Sequence, residues 1–114
     1  VNFSFTPHLS PMFRGILSTI YLDIKDKKNI EKIHFELSKF YKKSTFVRVL
    51  KKNKMISTND VIDTNFCHIS VCETKNNKKI IILSAIDNLI KGGSGQAVQN
   101  LNLLFGFNEK TGIQ

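Results

Sequence analysis

"KIIILSA", Lys79–Ala85, is the stretch on which the fold turns. Ile80–Leu83 is apolar without interruption, as a strand buried on both faces should be, whereas a strand with one wet face would alternate. The spacing therefore predicts a central strand, which needs neighbours. Cys67–Thr74 (CHISVCET) supplies one, joined to it across a turn at Asn76-Asn77, and Thr45–Leu50 (TFVRVL) supplies another. Gly15–Ile24 (GILSTIYLDI) reads as a longer strand, with Ile16, Ile20, Leu22 and Ile24 on one face and Leu17, Thr19 and Tyr21 on the other, both faces covered. At the start, Phe3, Phe5, Pro7 and Leu9 alternate with Asn2, Ser4, Thr6 and His8, which predicts a further strand that the proline confines to an edge or a strand end. Only one segment before the last strand changes period: Ile30, Ile33, Leu37, Phe40 and Tyr41 fall at helical spacing across Asn29–Ser44, with Asn29 as the N-cap. His34 lies beside that stripe and reads as a satisfied or solvent-facing histidine, not a ligand or base. Lys51–Asn65 reads as a long polar connection. The order is β-β-α-β-β-β-α, an α+β fold, and 114 residues make one domain.

The tract "KGGSGQAVQN", Lys91–Asn100, looks like a phosphate-cradling loop entering a helix. Gly93-x-Gly95-x-x-Val98 matches only part of G-x-G-x-x-G, and a dinucleotide fingerprint belongs after the first strand of a βαβ unit with an acidic residue about 20 positions on, beyond the end of this chain. There is no G-x-x-x-x-G-K-[ST] tract. A share in a site completed by other residues stays open, because glycines at a helix N-terminus let a backbone or ligand approach closely and its amides favour anions. Beyond the loop, Ala97, Val98, Leu101, Leu104 and Phe105 form an apolar stripe, and Gly106 stands where a C-cap is expected. Between Gly92 and Asn108 there is no charged residue, although 23% of the chain is charged. An exposed helix would carry charges on its wet face, so Gln96, Gln99, Asn100 and Asn102 are read as lying against something too. The final helix is built for docking.

The net charge of +8 invites a nucleic-acid reading. Its distribution argues otherwise: lysines dominate, arginine occurs only at Arg14 and Arg48, and no aromatic rings interleave with the lysine clusters as stacking platforms. Cys67 and Cys72, five apart in a strand, point to opposite faces and do not pair; both read as small core residues. No set of ligands has metal-site spacing, so no metal is expected. No stretch reaches the roughly 20 apolar residues of a bilayer span, and Val1–Phe5 lacks the plan of a signal peptide, which points to a soluble, cytoplasmic protein. A strand-like pattern that starts at Val1, with no Met, reads as a chain entered partway through a fold.

"FTPHLSPMFRGIL" (Phe5–Leu17), "FVRVL" (Phe46–Leu50), "TNFCHISV" (Thr64–Val71), "SAIDNLIKGGSGQAVQNLNLLFGF" (Ser84–Phe107) and "KTGI" (Lys110–Ile113) resemble, in order, the carboxy-terminal third of the N-acetyl-gamma-glutamyl-phosphate reductases. That family is similar in plan to aspartate-semialdehyde dehydrogenase, with an amino-terminal Rossmann domain for NADP and a mixed-sheet α+β domain for oligomer contacts and part of the active-site wall. The resemblance implies a dimerisation-domain-like fold over residues 1–114, with 86–114 packing on the Rossmann domain of the same enzyme. It also implies that Gly95 and Gln96 lie near the nicotinamide end of the cofactor, supported by Asn88 and Asn100.

The family's nucleophilic cysteine, in P-G-C-Y-P-T, and its proton-transferring histidine, in H-R-H-x-P-E, have no counterpart in this chain. Cys67 and His8 stand at other positions and inherit neither role, so no residue here is assigned as catalytic and the chain alone is expected to be inactive. Phe13 replaces a common asparagine beside Arg14 and leaves no basis for giving Arg14 a substrate role. The implied partners are a small acyl phosphate and further copies of the enzyme as a dimer or tetramer. Two alternatives stay open: a sister reductase acting on carrier-bound glutamyl or aminoadipyl phosphate, and a non-catalytic module that self-associates through the charge-free helix.

Overall fold

The computed structural model describes residues 3–25, 28–76 and 78–113, and of Lys28 only the backbone. Four strands form one mixed sheet: β1 (Ile16–Asp23), β2 (Val47–Val49), β3 (Cys67–Glu73) and β4 (Lys79–Ile86), in the order β1-β4-β3-β2. β4 lies between β1 and β3 and pairs with both antiparallel, with Ile82 opposite Ile20 on one side and Val71 on the other. The uninterrupted apolar run is thus inside the sheet, with Ile80 and Leu83 buried. β2, which follows α1 (Lys28–Phe40), runs parallel to β3.

Each face of the sheet carries its own core. Helix α1 lays Ile30, Ile33 and Leu37 over Val71, Ile80 and Ile82. On the opposite face Ile56 and Val61 cover Cys72, Leu83 and Ala85. The connection between β2 and β3, read as merely polar, is therefore half of the core: its few apolar residues plug the second face, around a short 3-10 turn, Thr58–Asp60, capped by Ser57. Cys67 and Cys72 do lie on opposite faces, and both are free thiols. His34 is satisfied, its Nε2 2.9 Å from the Leu50 carbonyl at the end of β2.

Several expectations change. Phe3–Leu9 forms no strand; the segment has no regular secondary structure and is exposed, without a ladder partner among the described residues. Period-two alternation needs a neighbouring edge to become a strand. β1 is exposed along its whole length, Tyr21 at 67%, so neither of its faces is covered by the described residues: α1 sits over β2 and β3 instead. The helix begins at Lys28, which puts Asn29 inside its first turn instead of at the cap, and ends at Phe40, short of Ser44. Phe40 is 77% exposed and rests edge-on against Tyr41, outside the stripe that Ile30, Ile33 and Leu37 form. The strand predicted from Thr45 is trimmed to Val47–Val49. Asn77 of the expected turn lies outside the described residues; Asn76 Oδ1 accepts from Lys78 N–H at 2.9 Å.

The accessible surface is 8499 Å², against about 6300 Å² for a compact monomer of this mass. The excess, on the order of 2000 Å², is the scale of a large protein–protein footprint. Exposed large apolar side chains stand on the amino-terminal arm, β1 and the final helix, and also at Phe35, Phe40 and Met55.

Candidate functional site

The end of β4 feeds the glycine-rich turn through Asp87, and that residue organises the region. Asp87 is fully buried. Its Oδ1 accepts from the Leu89 and Ile90 N–H groups at 2.8 and 3.0 Å; its Oδ2 accepts from the Asp63 N–H at 2.9 Å and Arg14 Nη1 at 3.1 Å. Burial by itself would raise this carboxyl, but the Asp63, Ile90 and Leu89 N–H groups and the Arg14 guanidinium together hold it below the ordinary carboxylate range. Arg14 also reaches Asp63, so it is already matched by two carboxylates and has a structural task in tying the amino-terminal arm to the turn. Next to it, Gly15 N–H donates to Asn88 Oδ1 at 2.7 Å. Gly15 has φ +106° and a methyl there would lie 2.5 Å from Thr58 Cβ, so glycine is required twice over.

From Asp87 the backbone takes two wide i to i+5 turns, Gly92 N–H to the Asp87 carbonyl at 2.8 Å and Ser94 N–H to the Leu89 carbonyl at 2.9 Å. Helix α2 (Gly95–Leu104) then starts, and Gly106, at φ +70°, closes it with a Phe107 N–H to Asn102 carbonyl bond of 2.8 Å, a Schellman ending.

The helix is turned the other way round from the reading of its stripe. Gly95, Gln99 and Asn102 are the buried residues, while Val98, Leu101, Leu104 and Phe105 face outward, Leu104 at 79% exposure. The cause is a set of polar partners waiting beneath it. Asn65 Nδ2 donates to Gln99 Oε1 at 2.9 Å, Lys91 Nζ donates to the same oxygen at 2.7 Å, and Gln99 Nε2 donates to Glu109 Oε1 at 2.6 Å. Asn102 Nδ2 donates to the Thr111 carbonyl at 2.8 Å. Thr45 Oγ1 adds a hydrogen bond to the second Glu109 oxygen. The uncharged amide side of the helix is thus satisfied by the chain itself, and the apolar side is left without a cover among the described residues. Burial lowers the Lys91 ammonium from its ordinary value, with Cys67 and Glu109 opposing; its Nζ also lies 5.6 Å from the Phe46 ring centroid.

Of the four residues named for the cofactor, three sit together on α2. Gly95 is buried, and a methyl there would lie 2.5 Å from Asn65 Oδ1 and 2.6 Å from Ile90 Cγ2. Gln96, half-buried, donates through Nε2 to Asn100 Oδ1 at 2.8 Å, one helical turn on. Asn88 lies in the preceding turn and points its carbonyl at Gly15. Gly93 and Ser94 are exposed, so the turn presents open backbone next to Gln96. Gln99, read as lying against something, is indeed buried; the residues missed from sequence are Asp87 and Asn65, each with partners 24 to 73 positions away. The one advance signal was the lack of charge from Gly92 to Asn108. Among the described residues no three His, Cys, Asp or Glu side chains gather into a metal site, and no helix is long and apolar enough to cross a membrane.

Comparison with known proteins adds the relatives. Residues 1–88 match the family described as semialdehyde dehydrogenase, dimerisation domain. The N-acetyl-gamma-glutamyl-phosphate reductase of Clostridium kluyveri is 50% identical over 99% of this chain, which covers 33% of that protein. Those of a Thermoanaerobacter species and of Vesicomyosocius okutanii are 47% and 49% identical over 99% and 100% of the chain, covering 33% and 32% of their lengths. The chain spans about a third of the curated relatives it matches, and that third is the carboxy-terminal one. With its four-stranded mixed sheet, two α-helices and this match over most of its length, the chain belongs to the semialdehyde dehydrogenase dimerisation-domain family.

Proposed function

We propose that this chain is the carboxy-terminal part of an NADPH-dependent N-acetyl-gamma-glutamyl-phosphate reductase of arginine biosynthesis, a cytoplasmic enzyme, in which it supplies an interface and one wall of the cofactor site. The observation that carries this reading is identity of about half to such reductases along the whole chain. The outward apolar side of α2 supports the architecture. Val98, Leu101, Leu104 and Phe105 make a face suited to bury against the Rossmann domain of the same enzyme, which would also cover the open turn at Gly93 and Ser94. Exposed β1, with Ile16, Ile20 and Leu22 on one face and Leu17 and Tyr21 on the other, suits contact with a second copy.

The residues at the start of α2 fit the carboxamide of the nicotinamide end of NADP better than its phosphates. Lys91 is the cation within the turn, and its ammonium is directed inward to Gln99. What faces outward is backbone together with the Gln96 carboxamide, which can both donate and accept. When bound, the cofactor supplies hydride to a thioester formed after a cysteine thiolate displaces phosphate from the acyl phosphate, releasing the semialdehyde and the thiolate. The residues of this chain take no bond-making part. Gly95 and Gln96 line the wall and orient, Asn100 holds the Gln96 amide, and Asn88 pins the turn to Gly15. In a full-length enzyme carrying this segment, Gln96→Ala should raise KM for NADPH or lower kcat; unchanged kinetics would remove Gln96 from the site.

A further inference from the structure

Asn65 has a feature that the helix packing alone leaves unexplained. It is fully buried, its Nδ2 is bonded to Gln99 Oε1, and among the described residues its Oδ1 has no hydrogen-bond partner. The orientation of that amide is dictated by charges two links away. Lys91 can only donate, so Gln99 must turn its Oε1 toward it; ionised Glu109 can only accept, so Gln99 must turn its Nε2 the other way. Gln99 Oε1 then requires the NH2 end of Asn65, and Asn65 Oδ1 is forced to face Gly95, 2.5 Å from where a methyl would be. The relay from Lys91 and Glu109 through Gln99 to Asn65 ends on the backbone of the first residue of α2.

We propose that Asn65 is a positioning residue that sets the Gly95 turn, and through it the Gln96 side chain, for the cofactor. This inference rests on the reading of Gly95 and Gln96 as the cofactor wall. Asparagine fits because the site needs a donor toward Gln99 and a small atom beside Gly95, and an ionised carboxylate cannot donate. Asn65→Asp, ionised, sets an acceptor against Gln99 Oε1. Inverting Gln99 to relieve this would set its NH2 against Lys91 and its oxygen against Glu109, so neither orientation satisfies all the groups. Protonated, the same Asp donates to Gln99 and restores the relay.

Two measurements on the full-length polypeptide carrying this segment test the proposal. The first is the Kd for NADP+ between pH 8 and pH 5. Asn65→Asp should bind roughly 10- to 100-fold more weakly than wild type at pH 8, the scale of loss from small misplacement of a site, and recover toward wild type at pH 5, while Asn65→Leu stays weak throughout. Wild-type affinity for Asn65→Asp, or weakening independent of pH, overturns the proposal. The second needs no cofactor: thermal unfolding of Gly95→Ala, Asn65→Ser and the double variant. Shortening residue 65 removes the oxygen nearest the new methyl, so the double should lose roughly 4 °C less than the sum of the singles, Ile90 still limiting the relief. Strict additivity overturns the contact even if Asn65→Asp fails to fold. Should the coupling be found in a wild-type protein that does not bind NADP+, the functional reading fails while the positioning of Gly95 by Asn65 stands.

Discussion

Asp87→Asn changes one atom in the most connected side chain of the turn, and the structure sets the size of the result. The amide oxygen can still accept from Leu89 and Ile90, but the new NH2 then faces Arg14 Nη1 and the Asp63 N–H, donor against donor. Two charge-assisted bonds are lost and Arg14 keeps only its contact to Asp63 on the exposed side. Removing one member of a buried, hydrogen-bonded ion pair costs about 3–5 kcal/mol. With a urea dependence of about 1.5–2 kcal/mol/M for a chain of this size, the midpoint at pH 7 should fall by about 2 M. The pH dependence follows from the depressed carboxyl of Asp87 in the folded state. A lowered folded value means that its stabilisation is fully present above the ordinary carboxylate pKa of about 4 and is lost as pH falls below that toward the folded value. Asn does not titrate, so the gap between wild type and Asp87→Asn should narrow between pH 4.5 and pH 2.5. Urea unfolding followed by far-UV circular dichroism at these pH values measures both quantities. A gap under about 1 kcal/mol at pH 7 would refute the hub, since that is no more than one ordinary neutral hydrogen bond. A gap that stays constant down to pH 2.5 would refute the electrostatic part.

Gly15→Ala should lower stability by about 2–3 kcal/mol, since it strains φ +106° and sets a methyl against Thr58; thermal unfolding checks it, and Tm should drop by at least about 8 °C. His68 is lowered from its ordinary value by burial and then by Arg48, with Asp60 opposing, so its contribution is fully present above about pH 6.5 and is lost as pH falls from there toward the lower folded value. His68→Gln should therefore flatten the stability profile between pH 7 and pH 5 in urea titrations. Leu101→Ser with Leu104→Ser should leave the unfolding free energy of the chain within about 1 kcal/mol of wild type, because both side chains are exposed. The same pair should weaken association with a separately expressed Rossmann domain of the enzyme, read by size-exclusion chromatography.

What was legible in the sequence is what short-range periodicity encodes. The run Ile80–Leu83 places β4 inside the sheet, alternation in Cys67–Glu73 separates Cys67 from Cys72, and Ile30, Ile33 and Leu37 define the core side of α1. Periodicity failed where a partner was needed to complete the pattern. Phe3–Leu9 alternates as a strand does, yet a strand exists only with a neighbouring edge, and β1 carries two apolar faces that the described residues do not cover.

The charge-free tract Gly92–Asn108 raised the expectation that α2 is in contact on both sides, and that expectation came from the sequence alone. Which side meets the chain's own residues was decided by tertiary structure. Asn65, Lys91 and Glu109 converge from separate segments on Gln99, and buried amides must be matched by such partners, whereas an apolar face can wait exposed for a partner. Asp87 makes the same point: nothing nearby in sequence announces that Arg14, 73 positions away, and the Asp63 backbone share its carboxylate. Local pattern specifies the elements because its period is written in consecutive residues. The pairing of distant polar groups is specified only when the folded chain brings them within hydrogen-bonding reach.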